Sequence, residues 1–101
     1  LSAAFPESAA LQHGFELFRQ HCIKCHSVNG VGGTVGVELN VPLNVSEYWQ
    51  PAKLHAYVAH PEAYRLRSKM PAFAYLGDKD IQQLLEYIVG MREQKRLPVS
   101  P

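Results

Sequence analysis

The chain contains only two cysteines, spaced by two residues and followed at once by a histidine: Cys22-Ile23-Lys24-Cys25-His26. Two thiols and an imidazole on one short segment are confined to one small region of whatever fold forms. With 101 residues the chain has a limited core, and domains of this size often lean on disulfides, a metal or a partner. At 47% hydrophobic and 19% charged residues, the composition is that of a globular chain rather than a disordered one. A few helices packed around something is the expectation.

The pentapeptide is a C-x-x-C-H sequence, the pattern of c-type haem attachment. Thiols at this spacing can reach the two vinyl groups on one side of a porphyrin as thioethers. The histidine that follows then lies beneath the metal, where its Nε2 can ligate iron. Other chemistries compete for the same residues. A dithiol redox motif normally sits in a βαβ pattern, and strand alternation is weak throughout this sequence. A disulfide across so short a loop adds little stability. Zinc is the more serious rival, because His55 and His60 could join Cys22 and Cys25 as two further ligands. The gap from Cys25 to His55 is far longer than the ~12–15 residues of a zinc finger.

Charge excludes more than it suggests. Ten Lys and Arg against nine Asp and Glu leave a formal net charge of +1, which demands neither nucleic acid nor an anionic membrane. Arg65, Arg67 and Lys69 cluster, as do Arg92, Lys95 and Arg96 near the end. The second group fits a helix C-terminus, whose dipole favours cations. No apolar run approaches the ~20 residues that cross a bilayer. Leu1 to Pro6 carries no basic region followed by an apolar stretch, so the chain reads as a mature protein or a trimmed soluble domain.

Residues 1–7 read as an irregular arm. A first helix is expected from Ser8, its N-cap, to His21, with Leu11, Phe15 and Phe18 at helical spacing. Ser27 to Val45 is a loop, broken by Gly30, Gly32, Gly33, Gly36 and Pro42, with turns at Asn29-Gly30 and Gly32-Gly33. A second helix is expected from Pro51 to His60, since Pro51 suits the first helical position and Pro61 disfavours helix at His60. Residues 61–77 are irregular, with a short helix near Glu62 to Arg65. The last helix is expected from Asp78, as cap, to Lys95. Its apolar stripe is Ile81, Leu84, Leu85, Ile88 and Met91. The class is all-α, one domain over residues 1–101, with long loops of the kind that wrap around something.

A haem held by His26 has a second axial position. Candidates are Met70, Met91, His13, His21, His55 and His60. Met91 lies on the stripe and is expected in the core. His13 and His21 are expected at the surface or in a second layer. His55 and His60 lie on a helix well after the motif. Met70 stands in an irregular segment, Lys69-Met70-Pro71-Ala72-Phe73, where core filling is a poor explanation. Its soft thioether suits iron, and Met/His ligation raises the reduction potential.

Over nearly its whole length the sequence resembles the small class I c-type cytochromes of bacteria. That family has a glycine eight residues, and an aromatic four residues, before the first motif cysteine; here these are Gly14 and Phe18. Its last helix carries a leucine and, three residues on, an aromatic; Leu84 and Tyr87 match. A Met-Pro pair before that helix marks the axial methionine, and Met70-Pro71 matches. One departure is Gly36-Val37, where many members have Gly-Pro. The carbonyl at that place accepts a hydrogen bond from the ligand imidazole, a task Val37 can perform less rigidly.

The resemblance implies a cytochrome c fold of three to four helices around one covalently bound haem c. It implies Cys22, Cys25, His26 and Met70 as the haem-binding residues, and His26 and Met70 as the iron ligands. Tyr48, Trp49 and Tyr64 are candidates to line the pocket, and Arg65 or Arg67 to offset propionate charge. The implied function is electron carriage rather than enzymatic catalysis, between redox protein partners, by a monomer in the periplasm or on the outer face of a membrane. Membrane contact would come only through a lost anchor or a membrane partner. A haem domain of a larger oxidoreductase, and a haem sensor if Met70 is not a stable ligand, are the alternatives. Near-zero net charge favours a small, partly apolar docking patch around the thioethers and Met70 over strong charge steering.

Overall fold

The computed structural model describes residues 2–95, so Arg96, the last of the C-terminal basic cluster, lies outside the described residues. Among them are three α-helices: α1 (Gln12–His21), α2 (Pro51–Ala59) and α3 (Asp78–Gly90). The long loops between them carry short 3₁₀ turns. The arm is less irregular than expected, since Ser2–Ala4 forms one such turn.

The helix boundaries follow local chemistry. A 3₁₀ turn over Ala9–Leu11 leads into α1; Ser8 precedes it, but its side chain makes no capping hydrogen bond. Pro51 opens α2, and His60 leaves the helical region (φ −142°, ψ 75°) ahead of Pro61. The expected short helix near Glu62 is a single 3₁₀ turn over Pro61–Ala63. The cap of α3 is Gly77 (φ 85°, ψ 156°), not Asp78. Asp78 is instead the first helical residue, where it and Asp80 favour the positive end of the helix dipole. The helix stops at Gly90 and tightens into a 3₁₀ turn over Met91–Gln94, short of the expected end at Lys95.

α1 and α3 form the main packing pair. Ile81, Leu84, Leu85, Ile88 and Met91 are all buried, as the stripe predicts. At the crossing, a Cβ on Gly14 would fall onto the Gln83 carbonyl and Tyr87 Cβ. Only a residue without a side chain permits that approach. Phe18 and Tyr87 are fully buried there, with ring centroids 5.6 Å apart. The Tyr87 hydroxyl donates to the Ala4 carbonyl at 2.6 Å, and Phe5 packs edge-on against Phe15, which ties the arm to the crossing. Burial pushes the Tyr87 hydroxyl pKa up, so it remains a donor.

One feature lies outside an all-helical description. β1 (Ser27–Val28) and β2 (Val31–Gly32) pair antiparallel, with Ser27 opposite Gly32 and Val28 opposite Val31. The turn is the Asn29-Gly30 predicted from sequence, with positive φ at both residues (52° and 81°). That is the conformation a two-residue type I′ hairpin requires. No helix among the described residues is long and apolar enough to cross a membrane.

Candidate functional site

α1 delivers the Cys-His segment. Past its end the backbone keeps coiling: Cys22 N–H donates to the Phe18 carbonyl (2.8 Å) and His26 N–H to the Cys22 carbonyl (2.9 Å). The tight path separates the two thiols by environment. Cys22 is buried within the apolar core, while Cys25 is exposed, and both are free. Burial, with a smaller contribution from Cys25, pushes the Cys22 thiol pKa up to about 12. Cys22 is therefore neutral at pH 7, which does not suit a redox dithiol nucleophile.

His26 is half-buried and fixed from one side. Its Nδ1 lies 2.7 Å from the Val37 carbonyl oxygen. A carbonyl can only accept, so Nδ1 carries a proton, and in the neutral imidazole the lone pair is then on Nε2. Val37 thus supplies the hydrogen bond expected of it. Gly36 lies flat against the imidazole, where any Cβ would strike the ring. Residues 36–39 run alongside residues 25–27, held by Gly36 N–H to the Cys25 carbonyl (2.6 Å) and Leu39 N–H to the Ser27 carbonyl (2.7 Å).

Beyond this strip lies a polar network that the sequence reading did not single out. Asn40 and Asn44 are fully buried, and Asn29 is nearly so. Asn40 Nδ2 donates to Asn29 Oδ1 (2.7 Å) and the Met91 carbonyl (2.9 Å). Asn44 Nδ2 donates to Asn40 Oδ1 (3.0 Å) and the Ile88 carbonyl (2.6 Å). Asn29 Nδ2 donates to the carbonyls of Ala3 and Gln94, both at 2.7 Å. The ladder satisfies carbonyls at the end of α3 and pins the loop to it. No buried side-chain nitrogen or oxygen among the described residues lacks a partner. One signal was available: Asn44-Val45-Ser46-Glu47 is a capping box, and both of its reciprocal bonds form.

The remaining candidates divide clearly. Met70 is partly buried and packs on the apolar cluster that contains Cys22. Met91 is fully buried in that core, as expected. His55 lies 3.7 Å from Asp78, and His60 lies 3.6 Å from Glu62. His13 pairs with Asp80, while His21 packs edge-on against Phe73 and Tyr75. Among the described residues no three His, Cys, Asp or Glu side chains gather to hold a metal ion. The zinc reading therefore has no site. Trp49 and Tyr64 pack on each other and on Tyr57, with Tyr57 and Tyr64 stacked at 5.6 Å. Tyr48 and Trp49 line an open groove with Gln50 and Lys53, a groove that none of Cys22, Cys25, His26 and Met70 lines. Arg65 and Arg67 are exposed.

The donor set fits a haem better than a bare ion: two free thiols, an imidazole with its far nitrogen already fixed, and a thioether on the same apolar cluster. No curated protein and no solved structure gave a match to the chain. A family model described as cytochrome C oxidase, cbb3-type, subunit III matches residues 9–88. The match spans α1, the Cys-His segment, α2 and nearly all of α3. With most of the chain inside it, the chain belongs to the cytochrome c oxidase, cbb3-type, subunit III family and is a c-type cytochrome domain, all-α in fold, whose chemistry is haem-based electron transfer.

Proposed function

We propose that Cys22 and Cys25 hold one haem through two thioethers, with His26 Nε2 and Met70 Sδ as axial ligands. On this reading the chain, as one domain over residues 1–101, passes single electrons between redox protein partners. The observation that carries it is the 2.7 Å contact between His26 Nδ1 and the Val37 carbonyl, inside a C-x-x-C-H segment. It leaves Nε2 as the donor nitrogen and fixes the ring's orientation. When bound, the haem supplies a one-electron iron couple. The chain's residues set its level: Val37 through the hydrogen bond to His26, and Met70 through a soft sulfur that favours the reduced form. With both axial places filled from the chain, no coordination position is left for a substrate.

The family supports electron carriage and not catalysis by the domain itself. Its description names an oxidase subunit, which supports a second reading: an electron-transfer domain within a membrane complex. We favour a monomeric shuttle in the periplasm or on the outer membrane face. The length of the polypeptide isolated from its source separates the two.

Ligation is tested by absorption spectra of the purified protein, oxidised and reduced, with and without carbon monoxide. The expected result is low-spin c-haem bands, a weak far-red sulfur–iron band in the oxidised form, and no response to carbon monoxide. High-spin bands that shift at once with carbon monoxide would mean an open iron and a gas-binding role.

A further inference from the structure

Val37 sits in a glycine-rich loop and its side chain is exposed, so nothing in the residue itself holds its carbonyl at His26. The backbone bonds from Gly36 and Leu39 flank it, and a further restraint comes from its neighbour. Glu38 Oε1 accepts from Gly30 N–H at 2.7 Å, and Oε2 accepts from both Asn40 N–H and Val41 N–H at 2.7 Å. One carboxylate thus gathers three backbone donors from the hairpin turn and from the chain that follows Val37. Hydrogen bonds to an ionised acceptor are roughly twice as strong as neutral ones. Asn40, at the far side of this clasp, is bonded in turn to Asn29 and to the Met91 carbonyl after α3. The backbone of Glu38 also forms a parallel bridge with Ser27, the residue after His26.

We propose that Glu38 is a positioning residue for His26. Its carboxylate locks the loop so that the Val37 carbonyl stays on Nδ1, which fixes the ring and sets its donor strength toward iron. The inference rests on the haem reading above. A firm Nδ1–H bond makes the imidazole a stronger donor and favours the oxidised state. Loosening the clasp therefore raises the reduction potential.

The test uses the haem-loaded protein with Glu38→Gln and Glu38→Ala, and with Glu47→Gln as control. Glu47 is a second carboxylate on the same loop, bonded to Asn44 N–H and Lys95. Two readouts are taken: the solvent-exchange rate of the His26 Nδ1 proton in the diamagnetic reduced form, by NMR, and the midpoint potential. Both Glu38 variants remove the same charge. Gln retains an oxygen that can still accept from Asn40 and Val41, whereas Ala retains nothing. Exchange is expected to quicken modestly in Gln and by about tenfold or more in Ala, the scale of a lost charge-assisted bond. The potential is expected to rise in the same order, with Glu47→Gln matching the parent in both. Unchanged exchange in both variants, with equal potential shifts, would overturn the proposal and leave Glu38 as a distant charge. Should Ala not yield folded protein, exchange in Gln no faster than in Glu47→Gln overturns it. A parent protein without a low-spin c-haem spectrum overturns the haem reading instead, and the potential argument with it.

Discussion

On the proposed ligation, Met70 is where a single side chain decides between carrying electrons and binding gases. Replacing it with alanine opens one axial place without disturbing His26, whose anchor at Val37 lies in a different loop. Met70→Ala is expected to lose the far-red band, to bind carbon monoxide at once when reduced, and to fall in potential by on the order of 0.1–0.3 V, within the ~0.8 V that axial ligands span. Unaltered spectra in that variant would remove Met70 from the site. The Cys-His segment is legible in the sequence because it is local: neighbouring residues at the spacing of the haem-attachment pattern. Glu38 and the three asparagines are not. The asparagines reach backbone carbonyls at the end of α3 and in the N-terminal arm, and Glu38 gathers the N–H groups of Gly30, Asn40 and Val41, pairings that only the folded loop brings together.

The helices follow from pattern, and their ends from details that pattern carries poorly. The α3 stripe was readable, but the choice of Gly77 over Asp78 as cap depends on a positive φ set by the preceding 3₁₀ turn. The β1–β2 pair is too short for alternation to register, although its turn was visible as Asn-Gly. At the α1–α3 crossing, Gly14→Ala places a methyl group against rigid backbone and is expected to destabilise the folded protein by roughly 1–3 kcal/mol in denaturant titration. A cost near zero would mean that the helices do not cross there. The turn at Val45–Glu47 gives a pH prediction. Glu47 is held below the usual carboxylate range, first by its hydrogen bond to Lys95 and then by Asn44 N–H. A depressed folded-state pKa means stabilisation that is present above the ordinary carboxylate range and lost as pH falls through it and below. Glu47→Gln should therefore lower stability near neutrality and converge with the parent at acid pH, which flattens the acid limb of the stability profile. An unchanged acid limb would assign that limb to other groups.

At the scale of the whole molecule, the N-terminal arm and the turn after α3 meet at one place. Tyr87 holds Ala4, and Asn29 joins Ala3 to Gln94, so arm, hairpin and helix end close around the α1–α3 pair. The formal net charge of +1 gives little long-range steering. Electron exchange with a partner is expected to change less than about threefold between low and physiological ionic strength, against the steep fall seen when charge steers encounter. Stopped-flow rates across a salt series would check it, and a steep decline would point to the Arg65, Arg67 and Lys69 cluster as a docking face. The fold class was legible at this scale because a small core, long glycine-rich loops and one Cys-His segment are mutually consistent. The partner was not, because docking depends on a surface whose residues are far apart in sequence.

Covalent attachment of a single haem through both cysteines is the claim on which the rest stands. It is tested most directly by denaturing mass spectrometry of the protein made in a host that attaches haem covalently. The expected mass is that of the polypeptide plus one haem, with no free thiol at Cys22 or Cys25, and with the haem still bound to the peptide that contains both after proteolysis. The bare polypeptide mass with two titratable thiols would contradict it.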